Sequence, residues 1–248
     1  MKIGVIGTGN IGGTLARKLS DAGHQVKVAN SRGVEAVRSF AQGINAEPAD
    51  IYEAVSGVEA VILSIPLPAL SSLPKELFKE LPSNVPVIDT SNYYPGLRDP
   101  QIVSLDGGQI ESEWVQEQIS HPVVKAFNNI LAYSLAEMGL PPGSRGRLAV
   151  AVAGDHPEAV QTAMSLVNDT GFDPVFSGTI AESWRQQPCT PSYCCDWDAA
   201  IMLRALALAK KGEAPARLPV LYASFAKLGE TPSHAEIIDN NRSINWPV

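Results

Sequence analysis

The sequence predicts an α/β protein with a doubly wound, mainly parallel sheet and a small helical carboxy-terminal cap. From the first residues to about Gly178, short β-branched runs alternate with helical patterns, which is typical of parallel strands joined by crossover helices. The run Ala60–Leu63 is apolar at every position, as expected of a strand buried on both faces. We therefore place one domain at residues 1–178 and a helical cap at residues 179–248.

The predicted elements follow from these patterns in chain order. Strands are expected at residues 2–6, 25–29, 60–65, 85–89, 123–127, 148–153 and 174–176. Helices are expected at residues 11–22, 34–42, 51–55, 74–81, 131–138 and 157–170.

A further helix at residues 197–209 is apolar nearly all round, so it must be buried. Its apolar surface exceeds what one packing face requires, which favours a homodimer that the cap stabilises. The alternative is that this helix lies wholly within its own subunit.

Composition restricts the functional classes. The 248 residues are 45% apolar and 18% charged, which suits one enzyme-sized globular unit. A formal charge of -7 and the lack of any run of Lys or Arg argue against a nucleic-acid partner. No segment approaches the roughly 20 apolar residues of a membrane span, and we expect a cytoplasmic protein. Cys189, Cys194 and Cys195 are expected to be free thiols, and no metal site is expected.

A glycine-rich turn follows the first predicted strand. The segment Gly7-Thr8-Gly9-Asn10-Ile11-Gly12 has the pattern G-x-G-x-x-G and opens a helical stretch, which is the dinucleotide-binding fingerprint of a Rossmann-type fold. Gly7 allows the tight turn, Gly9 lets the backbone approach the pyrophosphate, and Gly12 lets the helix pack closely on the strand. The helix N-terminus then faces the phosphates.

The end of the second strand predicts which dinucleotide is bound. An NAD enzyme places an acidic residue there to accept from the ribose hydroxyls, whereas this strand ends in Asn30-Ser31-Arg32. The Ser31 hydroxyl and the Arg32 guanidinium can both donate to a 2′-phosphate. The sequence therefore favours NADP(H). A solvated loop with an ordinary surface arginine is the alternative.

The remaining candidates follow other strands, because ligands of doubly wound sheets lie beyond the carboxyl ends of the strands. Asp89 begins a polar cluster that includes Asn92 and two tyrosines able to flank a planar ligand, and Asp89 could equally cap a turn. The Asn128 amide could bond a nicotinamide or substrate carbonyl, although Asn128 or Asn129 could instead cap the next helix. Lys125 and Asp89 complete the weak catalytic candidates.

With these motifs in hand, the chain resembles the NADP-dependent oxidoreductases related to deazaflavin-coenzyme (F420):NADP reductases. The same dinucleotide domain occurs in the STEAP metalloreductases. The resemblance rests on the glycine turn, on Ser31-Arg32, on Val124-Lys125-Ala126-Phe127-Asn128, and on the segment from Arg185 to Asp196. It implies hydride exchange between NADPH and a flavin- or deazaflavin-like co-substrate.

Position by position, the resemblance assigns Thr8, Asn10 and Ile11 to the pyrophosphate turn and Ser31 and Arg32 to the 2′-phosphate. It also places Ser64, Ile65 and Pro66 along the cofactor's path. The basic residue that some relatives carry a few positions after Arg32 is absent, since Ala36 and Val37 stand there and Arg38 is the nearest cation.

Two other functions fit the same sequence. One is an NADPH-dependent reductase of a small keto acid or imine, in which Lys125 would donate the proton that accompanies the hydride. The other is a module that senses NADP(H) without turning it over.

Overall fold

A computed structural model describes residues 1–246 and confirms the predicted fold class. In this described part of the chain, eight strands form one sheet in the order β3-β2-β1-β4-β5-β6-β7-β8, and every neighbouring pair is parallel except β6 and β7. The strands are β1 Lys2–Ile6, β2 Gln25–Ala29, β3 Glu47–Pro48, β4 Ala60–Leu63, β5 Val87–Asp89, β6 Val123–Lys125, β7 Ala149–Ala153 and β8 Asp173–Gly178.

Within residues 1–246, ten α-helices cover the sheet and form the carboxy-terminal segment. They are α1 Asn10–Asp21, α2 Val34–Gly43, α3 Ile51–Val55, α4 Val103–Asp106, α5 Glu111–Ile119, α6 Ala132–Glu137, α7 Pro157–Asp169, α8 Ala199–Leu208, α9 Ala214–Phe225 and α10 His234–Asn245. Two 3₁₀ helices span Leu67–Ser72 and Ile180–Gln186.

The structure corrects one predicted helix and adds several elements. Residues 74–81 form successive turns whose N–H groups bond the carbonyl three residues back, as from Leu77 to Pro74 and from Leu81 to Phe78. Leu77 and Phe78 are nevertheless buried. The apolar residues that suggested an α-helix here are therefore buried by consecutive turns instead. The sequence patterns did not predict β3, α4, α5 or the two 3₁₀ helices, and within the helical cap they gave bounds only for the helix at α8.

Each face of the sheet carries its own hydrophobic core. One core joins α1, α6 and α7 to the sheet through residues such as Leu15, Leu135 and Leu166. The other joins the 3₁₀ helix Leu67–Ser72 and α5 to the opposite face through Leu70 and Trp114. Because both faces are covered, the carboxyl edge of the strands is where a ligand can approach.

The helical segment packs on the far end of the sheet. Met202 and Leu206 of α8 lie against Ala149, Ala151 and Val175 of β7 and β8. The opposite side of α8 is open, with Leu203 56% and Leu208 43% exposed. This leaves apolar surface for a second copy, and both the homodimer and the division of the chain after residue 178 stay predictions.

The last helix holds the buried loop that precedes α8. Asn241 and Asn245 of α10 donate to the carbonyl oxygens of Cys194 and Tyr193, at 2.7 and 3.0 Å. Arg242 donates to the carbonyl of Cys195. These hydrogen bonds attach α10 to the loop that contains residues 193–195.

Candidate functional site

The glycine turn after β1 leaves no room for side chains at two of its glycines. Gly7 has a φ of +104°, and a Cβ there would lie 2.0 Å from the Ser64 carbonyl oxygen. A Cβ on Gly12 would lie 2.0 Å from the carbonyl oxygen of Gly7. Both positions therefore need glycine for the fold itself, because α1 packs directly on the ends of β1 and β4.

Gly9 differs, because a Cβ there would meet nothing within 4 Å. Gly9 is the exposed N-cap of α1, and no side chain caps the helix or adds negative charge to its first turn. The first N–H groups of a helix have no partner within the helix and carry its positive dipole end. The open space at Gly9 thus suits an anion such as a pyrophosphate.

Asn30 connects the end of β2 to the glycine turn. Its Nδ2 donates to Thr8 Oγ1 at 3.3 Å, and its Oδ1 accepts from the Arg32 backbone N–H at 2.9 Å. Ser31 and Arg32 are exposed. Within residues 1–246, the Arg32 guanidinium forms no salt bridge. Arg38, by contrast, pairs with Glu35 on the surface of α2.

A cleft of about 530 Å³ joins these two turns to the end of β4. The predicted cofactor residues that line it are Gly7, Thr8, Gly9, Asn30, Ser31, Arg32, Ser64, Ile65 and Pro66. Gly12 is buried behind the turn, and Asn10 faces a neighbouring cleft with Arg17. Ile11 packs against the core below α1.

The cleft also has walls that the sequence did not signal. Ile51 from α3 and Ala69 and Leu73 from the 3₁₀ region complete its apolar lining. Thr90, after β5, donates to Ser64 Oγ at 3.1 Å and so supports the end of β4. An apolar lining next to the backbone N–H groups of the glycine turn suits an adenine ring and its phosphates.

Lys125 and Asp89 form a buried ion pair across β5 and β6. Lys125 Nζ lies 2.7 Å from Asp89 Oδ2 and 2.5 Å from the Ser91 carbonyl oxygen, and the two side chains are 2% and 0% exposed. Asp89 Oδ1 accepts from the Ser91 N–H at 2.9 Å, so Asp89 adopts the alternative turn-capping role. The pair fixes the loop that carries Asn92.

Glu111, at the start of α5, is a titratable residue that the sequence analysis missed. Burial raises the pKa of its carboxyl to about 7, and the charges of Asp89 and Asp99 add to the shift. Two groups lower this pKa. They are the Lys125 ammonium and the Tyr93 N–H, which donates to Glu111 Oε2 at 3.2 Å. Nothing in the local sequence marks this carboxylate, because its environment is assembled by β5 and β6.

Asn92 and Asn128 bond each other rather than facing solvent. Asn92 Nδ2 donates to the Asn128 carbonyl at 2.9 Å, and Asn128 Nδ2 donates to Asn92 Oδ1 at 3.0 Å. Gln186 Nε2 donates a hydrogen bond to Asn128 Oδ1 at 2.9 Å. Asn128 therefore has its amide committed within the protein, and contact of Asn92 or Asn128 with the cofactor stays a prediction.

Asn129 also fastens the helical segment to the sheet. Its Nδ2 donates to the Ser192 carbonyl at 3.2 Å, and its own carbonyl accepts from the Cys194 N–H at 3.0 Å. The expectation that Asn128 or Asn129 caps the following helix is wrong, because α6 begins at Ala132 with Leu131 as its N-cap. Both amides instead bond chain segments that are distant in sequence.

The two tyrosines after β5 pack inside the protein. Tyr93 is buried and donates from its hydroxyl to Asp106 Oδ1 at 2.9 Å, while the Tyr94 hydroxyl contacts that of Tyr193. Burial raises the pKa of Tyr94 above its ordinary value. Both hydroxyls are held by the protein, and contact of the two rings with a planar ligand stays a prediction.

Cys189, Cys194 and Cys195 are free and buried. Burial raises the pKa of Cys189 and of Cys195 to about 12 and raises that of Cys194 well above its usual range. Such thiols carry little thiolate and are poor nucleophiles. Within residues 1–246, no group of three or more His, Cys, Asp or Glu side chains is arranged to hold a metal.

Sequence comparison connects this geometry to known proteins. Residues 2–93 match the family of NADP oxidoreductases described as coenzyme F420-dependent. The protein YjhV of Escherichia coli (strain K12) is 84% identical over 109 residues, which cover 44% of this chain and 80% of YjhV. The chain belongs to the family of coenzyme F420-dependent NADP oxidoreductases. This family member is accordingly an NADP-dependent oxidoreductase.

Solved structures share the fold of this oxidoreductase. Protein SMa0349 from Sinorhizobium meliloti is 27% identical with a TM-score of 0.62, and the match covers 75% of this chain and 89% of that one. A proposed F420-dependent NADP reductase from Arthrobacter sp. FB24 is 21% identical with a TM-score of 0.61, and the match covers 92% of this chain and 95% of that one.

Among residues 1–246, no helix is long and apolar enough to cross a bilayer.

Proposed function

We propose that this oxidoreductase transfers a hydride between NADPH and a flavin- or deazaflavin-like acceptor. The observation that carries the proposal is one cleft that joins the N-terminus of α1 to the guanidinium of Arg32, and within residues 1–246 that helix end has no side-chain cap and that guanidinium no salt bridge. The cofactor supplies the hydride, and the chain supplies binding and orientation.

The residues of the cleft divide the binding task by chemistry. The Gly7–Gly9 backbone and the first N–H groups of α1 receive the pyrophosphate, while Ile51 and Leu73 flank the adenine. Ser31 and Arg32 bind the 2′-phosphate. Asn30 keeps the two turns in register, because it bonds both Thr8 and Arg32.

The acceptor assignment follows from the environment of Lys125. Hydride transfer to a flavin-like ring depends chiefly on the placement of two rings and can proceed without a protein acid. Reduction of a small keto acid or imine needs a proton donor at the substrate. Lys125 is poorly suited to that task, because its ammonium is buried and already donates to Asp89 and Ser91. We infer that Lys125 is a positioning residue.

Calorimetric titration of NADPH and NADH into the Arg32→Ala variant tests the cofactor assignment. A charge-assisted bond to the 2′-phosphate contributes roughly 1.5–3 kcal/mol, so we expect NADPH affinity to fall about 10- to 150-fold. NADH affinity should change little.

Arg38→Ala is the matched control, because Arg38 is also an exposed arginine of this region but is paired with Glu35. It should leave both affinities near the parental values. Equal losses of NADPH affinity in the two variants would remove Arg32 from the 2′-phosphate site.

A further inference from the structure

A second cleft, of about 500 Å³, lies between the sheet domain and the helical segment. One wall comes from Tyr93 after β5 and from Ile110 and Glu111 at the start of α5. The facing wall comes from Trp184 and from residues of the α9 region, including Leu218. This cleft shares no lining residue with the cleft at the glycine turn.

The lining is mostly apolar, and its charged and amide side chains are those of Asp106, Gln109, Glu111, Gln187 and Lys211. Ligand sites commonly combine an apolar cavity with a small number of convergent polar groups. Glu111 supplies the half-buried carboxylate of this lining, and Gln109 and Gln187 are half-buried amides. Lys211 lies on the opposite wall, where it is exposed.

The charges around Glu111 leave its carboxylate without a cationic partner. Lys125 is paired with Asp89, and Arg98 is paired with Asp99. Asp106, on the α4 side of the cleft, is itself acidic and accepts from the Tyr93 hydroxyl. Within residues 1–246, Glu111 forms no salt bridge, and its hydrogen bond comes from the Tyr93 N–H.

A carboxylate that is partly removed from water and has no cationic partner is unfavourable, and a ligand cation would relieve this cost. We propose that this cleft is a second ligand site that binds a small organic cation, with its protonated amino group on Glu111 and its apolar body against Ile110, Trp184 and Leu218. An anionic ligand would meet the carboxylates of Glu111 and Asp106, which repel it.

Protonation of Glu111 gives the site a defined pH dependence. The groups that face Glu111 are Asp89, Asp99 and Lys125, and the pKa of its carboxyl is about 7. An alkylamine stays protonated throughout the neutral range, as lysine does. The ionised fraction of Glu111 therefore controls binding, and amine affinity should fall about tenfold from about pH 8 to about pH 6.

Calorimetric titration with 3-methylbutylamine tests the proposal, with 3-methylbutan-1-ol as the uncharged probe of the same shape. The titrations omit NADPH, so the result is independent of the dinucleotide assignment. We expect the amine to bind more tightly than the alcohol. Glu111→Gln should weaken amine binding about tenfold or more, because it removes the charge and keeps the shape.

Glu113→Gln is the control, since Glu113 lies in the same first turn of α5 but does not line the cleft. It should leave amine affinity unchanged. The proposal is overturned if the parent protein does not bind the amine, or if Glu111→Gln binds it as tightly as the parent. Tighter amine binding at low pH would also overturn it.

Discussion

The Lys125→Met variant tests whether Lys125 positions the loop after β5 or takes part in catalysis. Lys125→Met keeps the unbranched apolar stem and removes the ammonium that lies 2.7 Å from Asp89 Oδ2. It leaves the Asp89 carboxylate, which is 0% exposed, without its cation. It also removes the donor to the Ser91 carbonyl.

Breaking a buried ion pair by removing one partner costs about 3–5 kcal/mol. We expect Lys125→Met to lower the free energy of unfolding by that amount, measured from urea denaturation curves. Lys79→Met is the control, because Lys79 and Glu76 are an exposed pair with side chains 68% and 73% exposed. An exposed pair contributes at most about 1 kcal/mol.

The double variant Lys125→Met with Asp89→Asn should recover part of the lost stability, because it removes the uncompensated charge. If Lys125→Met were as stable as the parent and bound NADPH normally but lost turnover, the positioning role would be refuted. Lys125 would then be the proton donor of a keto or imine reductase.

Three further predictions follow from the glycine turn, the thiols and α8. Gly9→Val should abolish NADPH binding in titration calorimetry yet keep the parental circular dichroism spectrum, because a Cβ at Gly9 meets no protein atom within 4 Å; a folded variant with parental affinity would exclude this turn as the phosphate site. Cys189, Cys194 and Cys195 should react with a thiol reagent only after unfolding, because they are buried with raised pKa values; rapid labelling of the native protein would contradict this burial. Light scattering at micromolar concentration should give a dimer mass, since Leu203 and Leu208 are exposed on α8; a mass that stays near 26.4 kDa on concentration would refute the dimer.

Local pattern was sufficient for several elements of the amino-terminal half of the fold. The bounds of β1, β2 and α3 match their predicted ranges, because apolar runs and helix-capping signals lie within each segment. The glycine turn and Arg32 also line one cleft. The fingerprint is short in sequence, so its geometry is set by neighbouring residues.

Long-range packing determined what the sequence could not predict. Asp89 and Lys125 sit opposite each other in the register of β5 and β6, so their pairing required the strand order as well as the strand ends. Gln186, which donates a hydrogen bond to the Asn128 side-chain oxygen, is 58 residues away from Asn128 in sequence. Glu111 acquires its raised pKa only from burial beside Asp89 and Asp99.

The measurement that tests the central claim most directly is NADPH oxidation by the parent protein with a panel of acceptors. The panel contains the deazaflavin coenzyme, FMN, FAD, ferric chelates, quinones and small keto acids, and each acceptor is also assayed with NADH. We predict turnover with a deazaflavin or flavin, faster with NADPH than with NADH. Turnover confined to a keto acid, or equal rates with the two nicotinamide cofactors, would contradict the account.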